Sequence, residues 1–344
     1  MNMIKTIRIW SVLFTILLVC LLHKQEVSAQ DLHFSLPNRT PMLLNPALTG
    51  AFFGDYRVVS SYKNQWSSIS NPFQTIYGSY DMKLASSNEG NNHLGFGLAF
   101  YNDKAGKTNM GSTQLTLSLS YEFQLQEKHF LSGGMQMGFV QRSASFENVK
   151  WDNQYDGVGY DPSLPSGENT IPENHTFLDM GAGITWKYTP SNKLYTRVGM
   201  SIYHVNMPND AFLLGSEDKL NLRAVLHGSA VYILNKHYAI EPKIFVVQKG
   251  GAMEITAGSV VRYVTGEHSL YTNATRPSSI SMGCFYRYND AVIASLFYDY
   301  HRSLSVGVSY DLNISALRAV TALRGGIEIS LIFKGFYEKQ HIKL

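Results

Sequence analysis

The residues best suited to hold a metal lie at Asp152-Asn153-Gln154-Tyr155-Asp156-Gly157. Oxygen ligands at alternate positions before a glycine suit a calcium loop, but that loop also needs a glutamate at its twelfth position and flanking helices. Here the twelfth residue is Ser163, so a solvated acidic loop turning at Asp156-Gly157 is the simpler reading. None of the 11 histidines falls in an H-E-x-x-H pattern, and His227 alternates onto a polar strand face. A G-x-S-x-G nucleophile elbow is absent from the sequence. Gly133-Gly134 sits inside a strand pattern and reads as a bulge or a close backbone approach rather than a phosphate cradle. Cys284 alternates with Met282 and Tyr286, as a buried or lipid-facing thiol would. The reading assigns no catalytic, cofactor-binding or metal-binding residue, expects no cofactor, and leaves the partner-binding residues unknown.

The remaining candidates are charges on polar strand faces: Arg57, Arg197, Arg223, Arg262, Glu241, Lys243 and Glu254. Their meaning depends on the elements that carry them. Between residues 114 and 124, Leu115, Leu117, Leu119, Tyr121 and Phe123 fall on one face, and Gln114, Thr116, Ser118, Ser120, Glu122 and Gln124 on the other. A period of two is a strand, and it would scatter around a helix. Similar alternation recurs at 94–101, 177–188, 291–300 and 327–334, with aromatics at the ends of the apolar faces (Trp186 and Tyr188, Tyr298 and Tyr300). These runs are about twice the length of an ordinary strand and match a tilted strand crossing a bilayer.

Composition agrees. The chain of 344 residues is 16% charged, 44% hydrophobic and 12% aromatic, with 28 glycines and 21 tyrosines. It has no succession of apolar runs of about 20 residues, so it is not a helical membrane bundle. Its aromatics argue against disorder, and a net charge of +3 argues against nucleic-acid binding through bulk charge. Residues 1–29 read as a secretory signal: Lys5 and Arg8, an apolar stretch Ile9–Leu22, then Val27-Ser28-Ala29 before Gln30. A lipoprotein reading at Cys20 is weak, because Val19 is not small. Cleavage would leave 26 basic against 25 acidic residues and Cys284 as the one cysteine.

The expected fold class is therefore all-β: a transmembrane antiparallel up-and-down β-barrel of about 14 strands after an N-terminal signal peptide, with a water-soluble sandwich as the alternative. Strands are expected near 55–63, 73–84, 93–102, 112–125, 129–142, 176–189, 193–204, 223–234, 238–249, 252–264, 279–288, 290–300, 303–311 and 325–337. An even count is what a single-chain barrel uses. Long connectors fall at 143–175 and 205–222, and 265–278 is long where a short turn is due. The expected organisation is signal peptide 1–29, an N-terminal periplasmic or plug segment 30–54, barrel 55–337 and tail 338–344. Segment 30–54 holds Pro37, Pro41 and Pro46 and is not strand-like; Ser315–Leu323 reads as a short amphipathic turn. Charges facing lipid would each cost about 2–4 kcal/mol near the midplane for Arg or Lys, so they should point inward and pair there; a network across the lumen would plug the barrel rather than select ions.

The start of the expected mature chain carries a more specific signal. Gln30, Asp31, His33, Phe34 and Ser35 are followed by Leu44, Asn45, Pro46, Ala47 and Gly50, then by Arg57, Tyr62, Asn64, Gln65 and Trp66. Thr75, Ser79 and Asp81 follow. Near the other end stand Tyr286-Arg287, Asp290-Ala291, Gly307, Ser309, Tyr310, Asp311, Asn313, Ser315, Leu317, Gly325-Gly326 and Glu328-Ile329-Ser330-Leu331. This pattern resembles the PorP/SprF family of type IX secretion system outer-membrane proteins, over residues 30–337. Lys63 departs from it, where arginine is more usual, and the tail past Phe336 leaves the insertion signal less clear. The resemblance implies a non-enzymatic barrel in the outer membrane of a Gram-negative bacterium, surrounded by its lipids and binding no nucleic acid. It implies other type IX secretion components and a secreted substrate protein, such as a gliding-motility adhesin, as partners; a periplasmic peptidoglycan-associated protein is a further candidate. The role implied is export or surface attachment of that secreted protein, through the 143–175 and 205–222 loops or the lumen. A channel for small or hydrophobic solutes is the alternative. His33, within the opening, is expected to pack or hydrogen-bond there.

Overall fold

The computed structural model describes residues 34–67, 71–86, 92–106, 110–144, 150–165, 167, 174–210, 218–265, 278–301, 303–316 and 318–337. The expected signal peptide, the expected tail, and Gln30, Asp31 and His33 lie outside these residues.

The first seven strands are β1 (Tyr56–Gln65), β2 (Phe73–Ser86), β3 (His93–Ala105), β4 (Met110–Gln126), β5 (His129–Ser143), β6 (Asn174–Ser191) and β7 (Leu194–Tyr203). The rest are β8 (Arg223–Ile233), β9 (Tyr238–Lys249), β10 (Ala252–Thr265), β11 (Ser278–Arg287), β12 (Ala291–Tyr300), β13 (Leu304–Asn313) and β14 (Arg324–Gly335). Each pairs antiparallel with its neighbours in sequence order, and β1 pairs with β14, so the sheet closes on itself. The closing seam is complete, running from Tyr56 opposite Gly335 to Gln65 opposite Gly326 without a shift in register. A closed barrel leaves no edge strand and satisfies its backbone internally, which is the requirement for crossing a bilayer with strands. Among the described residues no helix is long and apolar enough to cross a membrane.

The barrel is inside-out relative to a water-soluble protein. On β4, Leu115, Leu117, Leu119 and Tyr121 are exposed, whereas Gln114, Thr116, Ser118, Ser120 and Glu122 are buried. Ser118 and Glu122 are 0% and 5% exposed, against 57% for Leu115. A water-soluble sandwich would show the reverse. The same division runs round the wall: Ile280, Met282, Cys284 and Tyr286 point outward on β11, and Ser279, Ser281 and Arg287 inward.

The wall has two distinct ends. β1 begins and β14 finishes at one of them, the terminal end. The turns on that side are short: Glu127-Lys128 joins β4 to β5, Asn192-Lys193 joins β6 to β7, and 234–237 joins β8 to β9. The connector 266–277 is the long exception there. The longest connectors, 144–173 and 204–222, lie at the far end. Exposed aromatics ring the terminal end, including Tyr80, Tyr121, Trp186, Tyr238, Tyr263 and Tyr300. His129, Trp186 and Tyr188 form one stacked group there, with His129 4.5 Å from Tyr188 and Trp186 5.7 Å from Tyr188. Such a girdle is where a membrane interface places aromatic rings. The Ser315–Leu323 connector contains one helical turn, Arg318–Thr321.

Candidate functional site

The site is built from the segment that precedes the wall. Residues 34–54 lie within the barrel, and of these only Phe53 is exposed. Three prolines shape the path. Pro37, Pro41 and Pro46 each open a single turn, Pro37–Arg39, Pro41–Leu44 and Pro46–Leu48. At a turn's first position the missing N–H is not needed and the fixed φ fits. Asn45 caps the third turn, its Oδ1 accepting from the Ala47 N–H at 2.9 Å. Gly50, at φ +69°, lets the chain reverse toward β1.

The lumenal side chains grip this segment along its backbone. Asn45 Nδ2 lies 3.2 Å from the Ile184 carbonyl, 3.1 Å from the Met200 carbonyl and 3.2 Å from His227 Nε2. Ser132 and Ser201 donate to the carbonyls of Ala47 and Leu44, each at 2.8 Å. Ser120 donates to the Thr49 carbonyl at 2.6 Å, and the Thr49 and Ser118 hydroxyls lie 2.8 Å apart. The Ser35 N–H donates to Glu328 Oε2 at 2.6 Å. The polar inner face is thus the complement of one polypeptide segment, and it supplies partners to a backbone that is not part of any sheet.

Glycines on that face make room for it. A Cβ at Gly183 would stand 2.1 Å from Asn45 Oδ1, one at Gly134 2.6 Å from the Ala47 nitrogen, and one at Gly95 2.4 Å from the Thr49 carbonyl oxygen. Of the Gly133-Gly134 pair, Gly134 meets a close backbone approach, while a Cβ at Gly133 would meet nothing within 4 Å.

Apolar positions on the inner face complete the fit. Phe34 and Met42 pack with Val59, Tyr77, Ala99 and Ile332. Leu36 packs with Val260, Phe285, Ile293 and Phe297, and Leu44 and Leu48 with Tyr203, Val225 and Phe245. Among the described residues these three groups are the clusters of buried apolar side chains, and they lie in the lumen. Sequence reasoning missed them. The available signal was the break in polar alternation at Phe245, Phe285, Ile293 and Phe297.

Inward charges pair as expected, and the pairs run along the wall rather than across the lumen. Arg57 on β1 makes a bidentate contact with Asp81 on β2 at 2.9 and 2.7 Å, and also donates to the Leu48 carbonyl. Lys187 on β6 meets Glu122 on β4 at 2.6 Å. Arg287 on β11 meets Asp311 on β13 at 2.9 Å and also pairs with Asp290. Glu241 on β9 lies 3.1 Å from Lys243 and pairs with Arg262 on β10. Partners one or two strands apart are close neighbours on one wall, whereas the centre is filled by residues 34–54. Arg223 lies over the Tyr203 ring, and Arg197 and Glu254 stand on the inner faces of β7 and β10. His227 reaches the segment through Asn45.

Toward the terminal end the lumen holds a cavity of about 900 Å³. Its inner limit is the Pro37–Arg39 turn, and its rim includes the Asn235–His237 turn and Ser303. Arg39 donates to Ser330 Oγ and Ser305 Oγ, both at 3.0 Å, with its guanidinium 5.0 Å from the Phe297 ring centre. Burial pushes the Arg39 guanidinium below its usual pKa, against the opposing pull of Asp299, Glu328 and Glu241.

At the far end, Asp156 Oδ1 accepts from the Gly159 and Val158 N–H groups at 2.7 and 2.8 Å, and those bonds hold its carboxyl below the usual range. Asp161 Oδ1 takes the Ser163 N–H and hydroxyl. The acidic residues of this loop thus organise turns, and among the described residues no three potential metal ligands converge.

A closed, fourteen-stranded, antiparallel barrel with an apolar outer face defines an outer-membrane-type β-barrel protein. Among solved structures it is similar to the CymD monoaromatic hydrocarbon channel, with a TM-score of 0.51, 11% identity, and coverage of 87% of this chain and 93% of that one. A FadL homologue from Pseudomonas aeruginosa gives a TM-score of 0.45 at 10% identity, covering 84% of this chain and 92% of that one. At such identities the likeness is one of fold alone. No curated protein matches the sequence. The family is a different matter: residues 26–333 match the model of the type IX secretion system membrane protein PorP/SprF, and the chain belongs to that family. Family and fold together are those of a membrane secretion or transport protein, and both point to the outer membrane.

Proposed function

We propose that this protein is a non-enzymatic outer-membrane component of type IX secretion that supports export or surface attachment of a particular secreted protein. The family match over residues 26–333 supports the secretion role. The observation that carries the reading is the occupied lumen. Residues 34–54 fill the barrel with hydrogen bonds fitted to their own backbone, and this weighs against a solute channel as the resting activity. The fold shared with a hydrocarbon channel does not offset that, because it specifies the wall and not its contents.

In this reading the terminal end faces the periplasm and the far end the exterior, following the usual division between short turns and long loops. The 143–175 and 205–222 connectors then stand outside the cell, where a secreted protein is held. Other secretion components, and a peptidoglycan-associated protein, would meet the terminal end. The chain reaches the membrane through a cleaved signal peptide, residues 1–29. Deleting the gene tests the reading: one secreted protein should fail to reach or stay on the cell surface while the other outer-membrane proteins are unchanged. Normal export and attachment of every secreted protein would refute it.

A further inference from the structure

The cavity at the terminal end has more positive charge than the fold requires. Six cationic side chains line it (Arg39, Arg57, Lys236, Lys243, Arg262 and Lys334), against the carboxylates of Glu241 and Asp299. Arg57 is neutralised from behind by Asp81. Glu241 is shared between Lys243 and Arg262, and Asp299 accepts from Ser279 at 3.1 Å. Three positive charges remain in excess. Two donors also remain unspent. Arg262 Nε is buried without a hydrogen-bond partner, and among the described residues the Lys334 ammonium has neither hydrogen bond nor ion pair. Unsatisfied donors inside a partly enclosed, low-dielectric space favour an anion strongly.

The site is also larger and more extended than a simple ion needs. About 900 Å³ lies at the upper end of ordinary ligand pockets. Its cations sit on different elements: Lys243 on β9 and Arg262 on β10 meet at Glu241, Lys334 stands on β14, and Arg39 on the inner segment. The lining also includes the hydroxyls of Ser281 and Ser303 and the apolar side chains of Val231 and Ile332. Cations contributed by several elements, hydroxyls and apolar ledges suit an extended peptide bearing several carboxylates.

We propose that the terminal-end cavity is a binding site for an acidic peptide segment, entered from the solvent on that side, with Lys334 and Arg262 holding its carboxylates and Lys236 guiding it at the rim. The proposal needs only that this mouth opens to water, so it stands or falls separately from the secretion reading.

The test uses the full-length protein in a neutral detergent and the fluorescence anisotropy of a labelled hexapeptide of alternating Asp and Glu. The matching Asn/Gln hexapeptide and inorganic phosphate serve as competitors. The acidic peptide should bind, weaken with added salt, and be displaced by neither competitor at equal concentration. Affinity should fall at least tenfold in Arg262→Gln/Lys334→Gln and about threefold in Lys236→Gln, but stay unchanged in Lys104→Gln at the far end. No binding of the acidic peptide, equal binding of the neutral one, or displacement by equimolar phosphate would overturn the proposal. So would undiminished binding in the double variant. Should that variant fail to assemble, Lys236→Glu decides, because its side chain is exposed on the rim: unchanged affinity there refutes the site.

Discussion

Replacing Asn45 by alanine tests how the inner segment is held. Asn45 is fully buried, and its amide is the one side chain of the segment that bonds to the backbone of two wall strands, at Ile184 and Met200. Its two N–H protons are shared among three acceptors, His227 Nε2 being the third, and its Oδ1 takes the Ala47 N–H. Three hydrogen bonds are therefore lost at once, each contributing about 1 kcal/mol net. The expected loss is about 3 kcal/mol, or roughly a hundredfold in the equilibrium between seated and released segment. Hydrogen exchange followed by mass spectrometry on the detergent-solubilised protein reads this directly. Amides of residues 44–51 should exchange about a hundredfold faster in Asn45→Ala, and amides of β4 and β5 at their original rate. Unchanged exchange in 44–51 would show that these bonds do not hold the segment. Acceleration spread equally over the wall would show that segment and barrel open only together, and the reasoning would fail.

Three further outcomes follow from the same geometry. Gly183→Ala places a methyl against Asn45 Oδ1 and should release the segment to a similar degree in the same assay, whereas Gly133→Ala, at an open position, should not. Arg57→Ala leaves Asp81 buried and unpaired, so the urea midpoint for loss of the folded band on unheated gels should shift by the equivalent of about 3–5 kcal/mol; an unchanged midpoint would contradict the pairing. Leu117→Arg puts a charge on the lipid face and should lower folding stability in phosphatidylcholine vesicles by about 2–4 kcal/mol, which a refolding titration would detect.

Much of the wall was legible in the sequence because the signal was physical and repeated. A period of two over 10–18 residues specifies a strand, and a charge-poor chain with long strands favours lipid as the solvent of the apolar face over a water-soluble sandwich. The expected strand at 112–125 is β4 at 110–126, and that at 238–249 is β9 with the same ends. The lumen was much less legible. Alternation says which face a residue occupies but not what lies against it. Phe285 and Ile293 interrupt a polar face, and only the structure shows that they pack with Leu36. Arg57 was recognisable as an inward charge, yet nothing in its spacing from Asp81 says that the two share a guanidinium–carboxylate pair. Segment 30–54 had no period to read. Its prolines excluded a strand without giving a location, and its fit depends on serines and glycines far away in sequence.

The account rests on residues 34–54 closing the barrel, and ionic conductance across a planar lipid bilayer tests that most directly. The full-length protein should insert without stable conductance, and a variant lacking residues 34–54 should open steady, ungated channels. A full-length protein that conducts as well as the shortened one would contradict it.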